Sequence, residues 1–304
     1  MTNISSVNST VQNEPVRKVE KKTTSQGQNS STEEKRAKPQ DAAPPIASRI
    51  TRLFHQAGVT SSKFTQLDED AGKKVARRRH VKKARQLSNL EKILEKALEL
   101  SIEQVSDEHI DPDWFYSFID LAENIFSETM QEIWGKIFAV EISKPGTFSL
   151  RTLQTLKQLT QRDARIFQNA VSLAAKMKGE NSPKILVGYY RKPSFMTLLG
   201  LSRKSRQLNL AEYGLPYPDL LTLMDAGLIF NSEIESGELD SNKRNEWRIN
   251  GETIQLAPRR SGLFLNYYKF TATGAELAKL VASPPNPQYQ EKIKALLQSD
   301  FEVN

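Results

Sequence analysis

From Trp114 to Phe138 the chain places large apolar residues three and four apart, among them Trp114, Phe118, Ile125, Trp134 and Phe138. That spacing is helical, and the stripe, joined by Phe115, Ile119, Phe126, Met130, Ile133 and Ile137, is too broad for a single surface contact. The segment must therefore lie at the centre of a core. Asp111, Pro112 and Asp113 supply its start: a capping carboxylate, a proline in the first turn and a second negative charge. A break is expected near Ser127. Lys144, Pro145 and Gly146 then make a turn, Ser149 caps the next helix, and Thr160 with Asp163 forms a capping-box start for another. Leu150, Leu153, Leu156, Ile166, Phe167 and Leu173 provide a second apolar face. The short connection implies that the two helical stretches are antiparallel neighbours.

The front of the chain is different. Residues 1–90 hold 18 basic against 8 acidic side chains, whereas residues 91–304 hold 25 against 28, so the net charge of +7 belongs to the front. No aromatic residue precedes Phe54, and 19 of the first 40 residues are Ser, Thr, Asn or Gln. Burial cannot offset the entropy of ordering such a stretch, and residues 1–45 are expected to form a disordered polar tail. A short amphipathic patch follows, with Ile46, Ile50, Leu53, Phe54 and Ala57 at helical spacing beside Arg49 and Arg52. Docking on its own body is the expected use of that patch, ahead of a membrane or partner surface, because so short a helix binds lipid weakly. Residues 73–85 then carry eight cations and no acid: Lys73, Lys74, Arg77, Arg78, Arg79, Lys82, Lys83 and Arg85. Downstream, Leu87, Leu90, Leu94, Ala97 and Leu98 form one stripe and Glu91, Glu95, Glu99 and Glu103 another, so a single helix covers both halves. Its positive start and negative end oppose the helix macrodipole, which asks for compensation from a polyanion or from acidic groups on another subunit. The eight cations are the candidate nucleic-acid or anion-binding residues, suited to phosphates without regard to sequence. No aromatic residue is interleaved to stack bases, and a solvated charged face is the plainer reading.

The block from Asp111 to Phe167, with Trp134, Glu141, the segment Pro145 to Leu153, Asp163 and Ala164, resembles an uncharacterised gammaproteobacterial conserved-hypothetical family. More distantly it resembles the helical abortive-infection alpha proteins of bacterial phage defence. The resemblance covers about residues 80–175 and implies an all-helical module without bringing an activity. Glu141, near a helix end and opposite Arg151, is expected to form an ion pair that sets the hairpin angle.

After Pro183 the pattern turns to strands. Lys184 to Tyr190 reads as a buried extended run, residues 207–227 as two short helices about a turn at Gly214–Pro218, and residues 246–256 as a hairpin turning at Asn250 and Gly251. Leu263 to Phe270 gives another strand, Thr271 caps a helix, and Gln288 to Leu297 forms a terminal one. This order resembles the C-terminal half of winged-helix domains. In those domains the helix before the wing reads DNA, but here it turns Asp219, Thr222 and Asp225 outward, and carboxylates repel phosphates. Basic residues occur instead in the flanks, at Lys243, Arg244, Arg259 and Arg260.

The expected fold is thus mainly α: a helical bundle with a C-terminal winged-helix-like α+β module and a disordered N-terminal tail. Its parts are the tail (1–45), a basic linker with the amphipathic patch (46–85), a helical core domain (86–180), the winged-helix-like module (181–283) and a C-terminal helix (284–304). The chain has no cysteine and three histidines, His55, His80 and His109. That excludes disulfides, thiolate metal sites and cysteine nucleophiles. Phosphate-loop, dinucleotide and HExxH motifs are all missing, and Gly200 to Lys204 lacks the second glycine of a nucleophile elbow. The acid clusters Asp68, Glu69, Asp70 and Asp107, Glu108, Asp111, Asp113 are explained by linkers and a helix start without a metal. No cofactor and no catalytic residue is expected. The expectation is a non-catalytic cytoplasmic interaction or regulatory protein that binds a protein partner or a second copy and has no transmembrane segment. The alternative is a sequence-independent nucleic-acid-binding protein that uses the run at 73–85.

Overall fold

A computed structural model describes residues 46–61, 70–100, 107–192, 204–249 and 252–304. The expected tail, Asp68, Glu69, Glu103 and the Asn250–Gly251 turn lie outside them. Residues 1–50 and 51–304 form separate units, and of the first only the opening residues of helix α1 (Ile46–Gln56) are described.

The helical half follows the capping signals closely. Asp70 accepts from the Gly72 amide and starts α2 (Ala71–Leu98). Asp111 caps α3 (Pro112–Ala122), and α4 (Glu128–Ser143) begins after Ser127, at the expected break. Ser149 caps α5 (Leu150–Gln158), and Thr160 and Asp163 exchange both bonds of a capping box at the head of α6 (Gln161–Ser172). Phe118 sits among Trp114, Trp134 and Phe138 with ring centroids 5.1–5.3 Å away, in the tilted and stacked geometries aromatic groups prefer. The Trp114 indole N–H donates to the Phe148 carbonyl at 2.7 Å, which ties α3 to the start of α5. The main partner of α4 is α2, while α3 packs on α5.

The expectation of a mainly helical bundle with a C-terminal winged-helix-like module is overturned by the strands. An eight-stranded antiparallel sheet runs β4-β7-β2-β1-β5-β6-β8, with β3 on β2 beside β1. Its members are β1 (Ala174–Met177), β2 (Lys184–Arg191), β3 (Lys204–Gln207), β4 (Ile234–Glu235), β5 (Asn245–Ile249), β6 (Glu252–Pro258), β7 (Leu263–Lys269) and β8 (Phe301–Val303). The protein is α+β. The decisive element is β1, which follows directly on α6 and pairs Ala174 with Ile185 of β2 and Met177 with Trp247 of β5. It joins the helical half to the middle of the sheet, and one apolar cluster extends from Ile93 on α2 to Phe301 on β8.

β2 is the central strand, buried from Lys184 to Tyr190. Its pairing with β7 slips between Leu186 and Gly188, and the two carbonyls at the slip find other donors. Leu186 accepts from the Tyr289 hydroxyl at 2.7 Å, and Val187 accepts from the Leu208 amide at 2.8 Å. Tyr289 belongs to α9 (Pro287–Leu297), which covers the sheet, while α7 (Tyr217–Asp225) packs on α6 and α8 (Ala272–Ala278) packs on α5.

Candidate anion-binding face

Alternating Lys, Arg, Ala and Val give the first half of α2 good helix propensity but little to bury. That half has no buried residue, and the buried positions of α2, Asn89 and Ile93, come later. The loop after α1 is its chief described neighbour. Arg77 donates to the Thr60 hydroxyl at 2.5 Å, and Arg78 donates to the Ala57 carbonyl at 2.7 Å. Gly58, at φ 75°, lets the loop pass against Val81 and Arg78 where a Cβ would meet both at little more than 3 Å. A hollow of about 430 Å³ lies between loop and helix, lined by Val59, Val75, Lys74, Arg77, Arg78, Arg79 and Lys82.

All eight candidate cations thus lie on four turns of one helix. Lys73, Arg78, Arg79, Lys82, Lys83 and Arg85 are exposed; Lys74 and Arg77 are half-buried. The side chains of Lys73, Lys74, Arg79, Lys82, Lys83 and Arg85 make no hydrogen bond or ion pair among the described residues. Six positive charges without counter-charges at close quarters, five of them exposed, repel one another and favour an anionic partner.

Leu53 and Phe54 of α1 are 58% and 57% exposed, so the expected docking of that patch on the body is not made by these two. Of the expected leucine stripe of α2, Leu90 is half-buried against the core and the other three leucines are turned out. Leu87, Leu94 and Leu98 are 59%, 52% and 76% exposed. Gly135 of α4 lies so close to α2 that an added Cβ would meet Lys96 and Ala97 at 2.7 and 3.0 Å, so α2 seats on its other side.

Elsewhere, polar groups both expected and unexpected from the sequence prove structural. Glu141, buried, does not pair with exposed Arg151 as expected. It accepts the Gly146 and Phe148 amides at 2.5 and 3.0 Å and holds the turn into α5. Burial raises its carboxyl above the ordinary value against the pull of those amides, and the Glu276 charge adds to the rise. Glu276 accepts the Ser149 amide at 2.7 Å and the Thr152 hydroxyl at 2.6 Å, so a second carboxylate braces the same helix start. Lys184 is boxed between Trp247 and Tyr267 and paired with Glu180 at 2.8 Å. Tyr189 donates to Asp300 at 2.8 Å; burial first, then that carboxylate, pushes its phenol up to about 12, unsuited to proton transfer near neutrality. The hollow between α5, α6 and α7 holds Asp163 and Asp225, but Asp163 is committed to Thr160. No group of three or more His, Asp or Glu among the described residues is placed to hold a metal.

The fold and these sites define an α+β chain whose most distinctive surface is a cationic helix. It belongs to the family described as protein of unknown function (DUF2806), whose model matches residues 73–294, from the first cation of that helix to the last turns of α9. No curated protein and no solved structure matches it. Among the described residues, no helix is long and apolar enough to cross a membrane.

Proposed function

We propose that the chain is a non-catalytic binding protein that grips the phosphate backbone of nucleic acid, without sequence preference, through the first half of α2. The observation that carries this is the set of six cations, Lys73, Lys74, Arg79, Lys82, Lys83 and Arg85, whose side chains have no acidic partner among the described residues, on a helix half without a fully buried residue. At 1.5 Å per residue the run is about 18 Å long, the span of roughly five phosphates on one strand of a duplex. Neutralising four or five phosphates gives log K a slope against log salt of about −4, so affinity falls roughly a hundredfold or more between 50 and 200 mM salt. The sequence-level preference for an interaction protein is served by the same helix, whose outward leucines offer a protein contact. The absence of cysteine suits a cytoplasmic setting, and the link to phage defence rests only on the resemblance of residues 80–175.

The test is fluorescence anisotropy with a labelled duplex and a labelled single strand of random sequence. A variant carrying Gln at those six positions keeps Arg77 and Arg78, and with them the loop contacts, so it should fold as the parent does. The slope should collapse in the variant. A wild-type protein that fails to bind at low salt, or an unchanged slope in the variant, overturns the reading.

A further inference from the structure

We infer that α2 is also a self-association surface, on which a second copy of this chain packs its own α2 antiparallel, with the two-fold axis at Leu87. The apolar positions that carry the inference are distinct from the phosphate-binding cations, of which Lys83 alone falls within the strip they span. At about 100° per residue, Ala76, His80, Ala84, Leu87, Leu94 and Leu98 fall within roughly 60° of one line along the helix. All six are exposed. This strip threads a segment otherwise crowded with charge, and between Ala76 and Leu98 the charges within it are Lys83 and Glu91.

Charge decides the direction. Parallel pairing would set eight cations against eight and place Lys83 beside Lys83 and Glu91 beside Glu91. Antiparallel pairing lays each cationic half over the half that carries Glu91, Glu95 and Glu99, and it relieves the clash of each helix with its own macrodipole. The register follows from size and charge. About an axis at Leu87, Leu98 lies level with the small Ala76, Leu94 with His80, and Lys83 with Glu91, so the outermost leucine finds room and opposite charges meet. Such an isologous contact closes as a dimer. Lys74, Lys82 and Arg85 lie roughly 140–160° around the helix from Leu87 and stay clear of the pairing.

The chain's lack of cysteine makes this directly testable by single substitutions in the full-length protein. After nuclease treatment, sedimentation velocity should show a dimer that becomes monomeric in Leu87→Glu/Leu94→Glu, with the circular dichroism and melting temperature of the parent. Under mild oxidation Leu87→Cys should cross-link to a covalent dimer. Leu98→Cys alone should not, but mixed with Ala76→Cys it should. A nuclease-treated monomer at all concentrations, a dimer indifferent to the glutamates, or cross-linking of Leu98→Cys by itself overturns the proposal. A dimer seen only before nuclease treatment overturns it too, since nucleic acid would then be the bridge.

Discussion

Glu141 shows how a single side chain can invite a functional reading and have a structural role. Its position near a helix end was legible in the sequence, but its partners were not, because the Gly146 and Phe148 amides are presented to it only once the turn closes at Gly146, φ 77°. Replacing it by Gln leaves one amide facing a donor and should cost about 1–2 kcal/mol in chemical denaturation. The pH dependence has a definite sign. A carboxyl whose pKa is higher folded than unfolded binds its proton more tightly in the native state. Its stabilising contribution is therefore complete below the unfolded value and is lost as pH rises through the folded one. The deficit of Glu141→Gln relative to wild type should narrow as pH rises from the acid side. A deficit that widens would mean that the amide bonds outweigh burial.

Among the elements, the helices were readable because their signals are local. Asp111, Ser149, Thr160 and Thr271 cap within three residues of themselves, and each caps the helix expected of it. The strands β1, β3, β4 and β8 were missed for a matching reason. Ala-Ala-Lys-Met favours a helix in isolation, and only pairing with β2 and with β5, some seventy residues on, makes it a strand. Gly188 marks where β3 closes on β2: an added Cβ would stand 2.0 Å from the Arg206 carbonyl oxygen. Gly188→Ala should lower stability by about 3 kcal/mol in thermal or denaturant unfolding. Gly237→Ala, where nothing lies within 4 Å, should be close to neutral. Equal effects at the two positions would show that the β2–β3 approach is not tight.

For the whole molecule, the continuous core predicts that the strand-rich half cannot stand alone. A fragment of residues 181–304 lacks β1, which bridges β2 and β5, and the helical faces that cover Phe270 and its neighbours. It should show no cooperative unfolding transition by circular dichroism, and a sharp transition would establish an independent module after all. Phe301→Ala, at a fully buried position on the last strand, should cost the full-length chain about 3–5 kcal/mol. The amino-acid sequence by itself determined the helix starts, the break at Ser127, the cationic run and its place on one long helix, because each depends on residues within a turn or two of one another. Tertiary structure alone decided that the chain is α+β, that β1 sits in mid-sheet, and that Leu87, Leu94 and Leu98 face outward. Strand pairing and the choice of buried helix face depend on partners distant along the chain, and no local pattern encodes which of them will arrive.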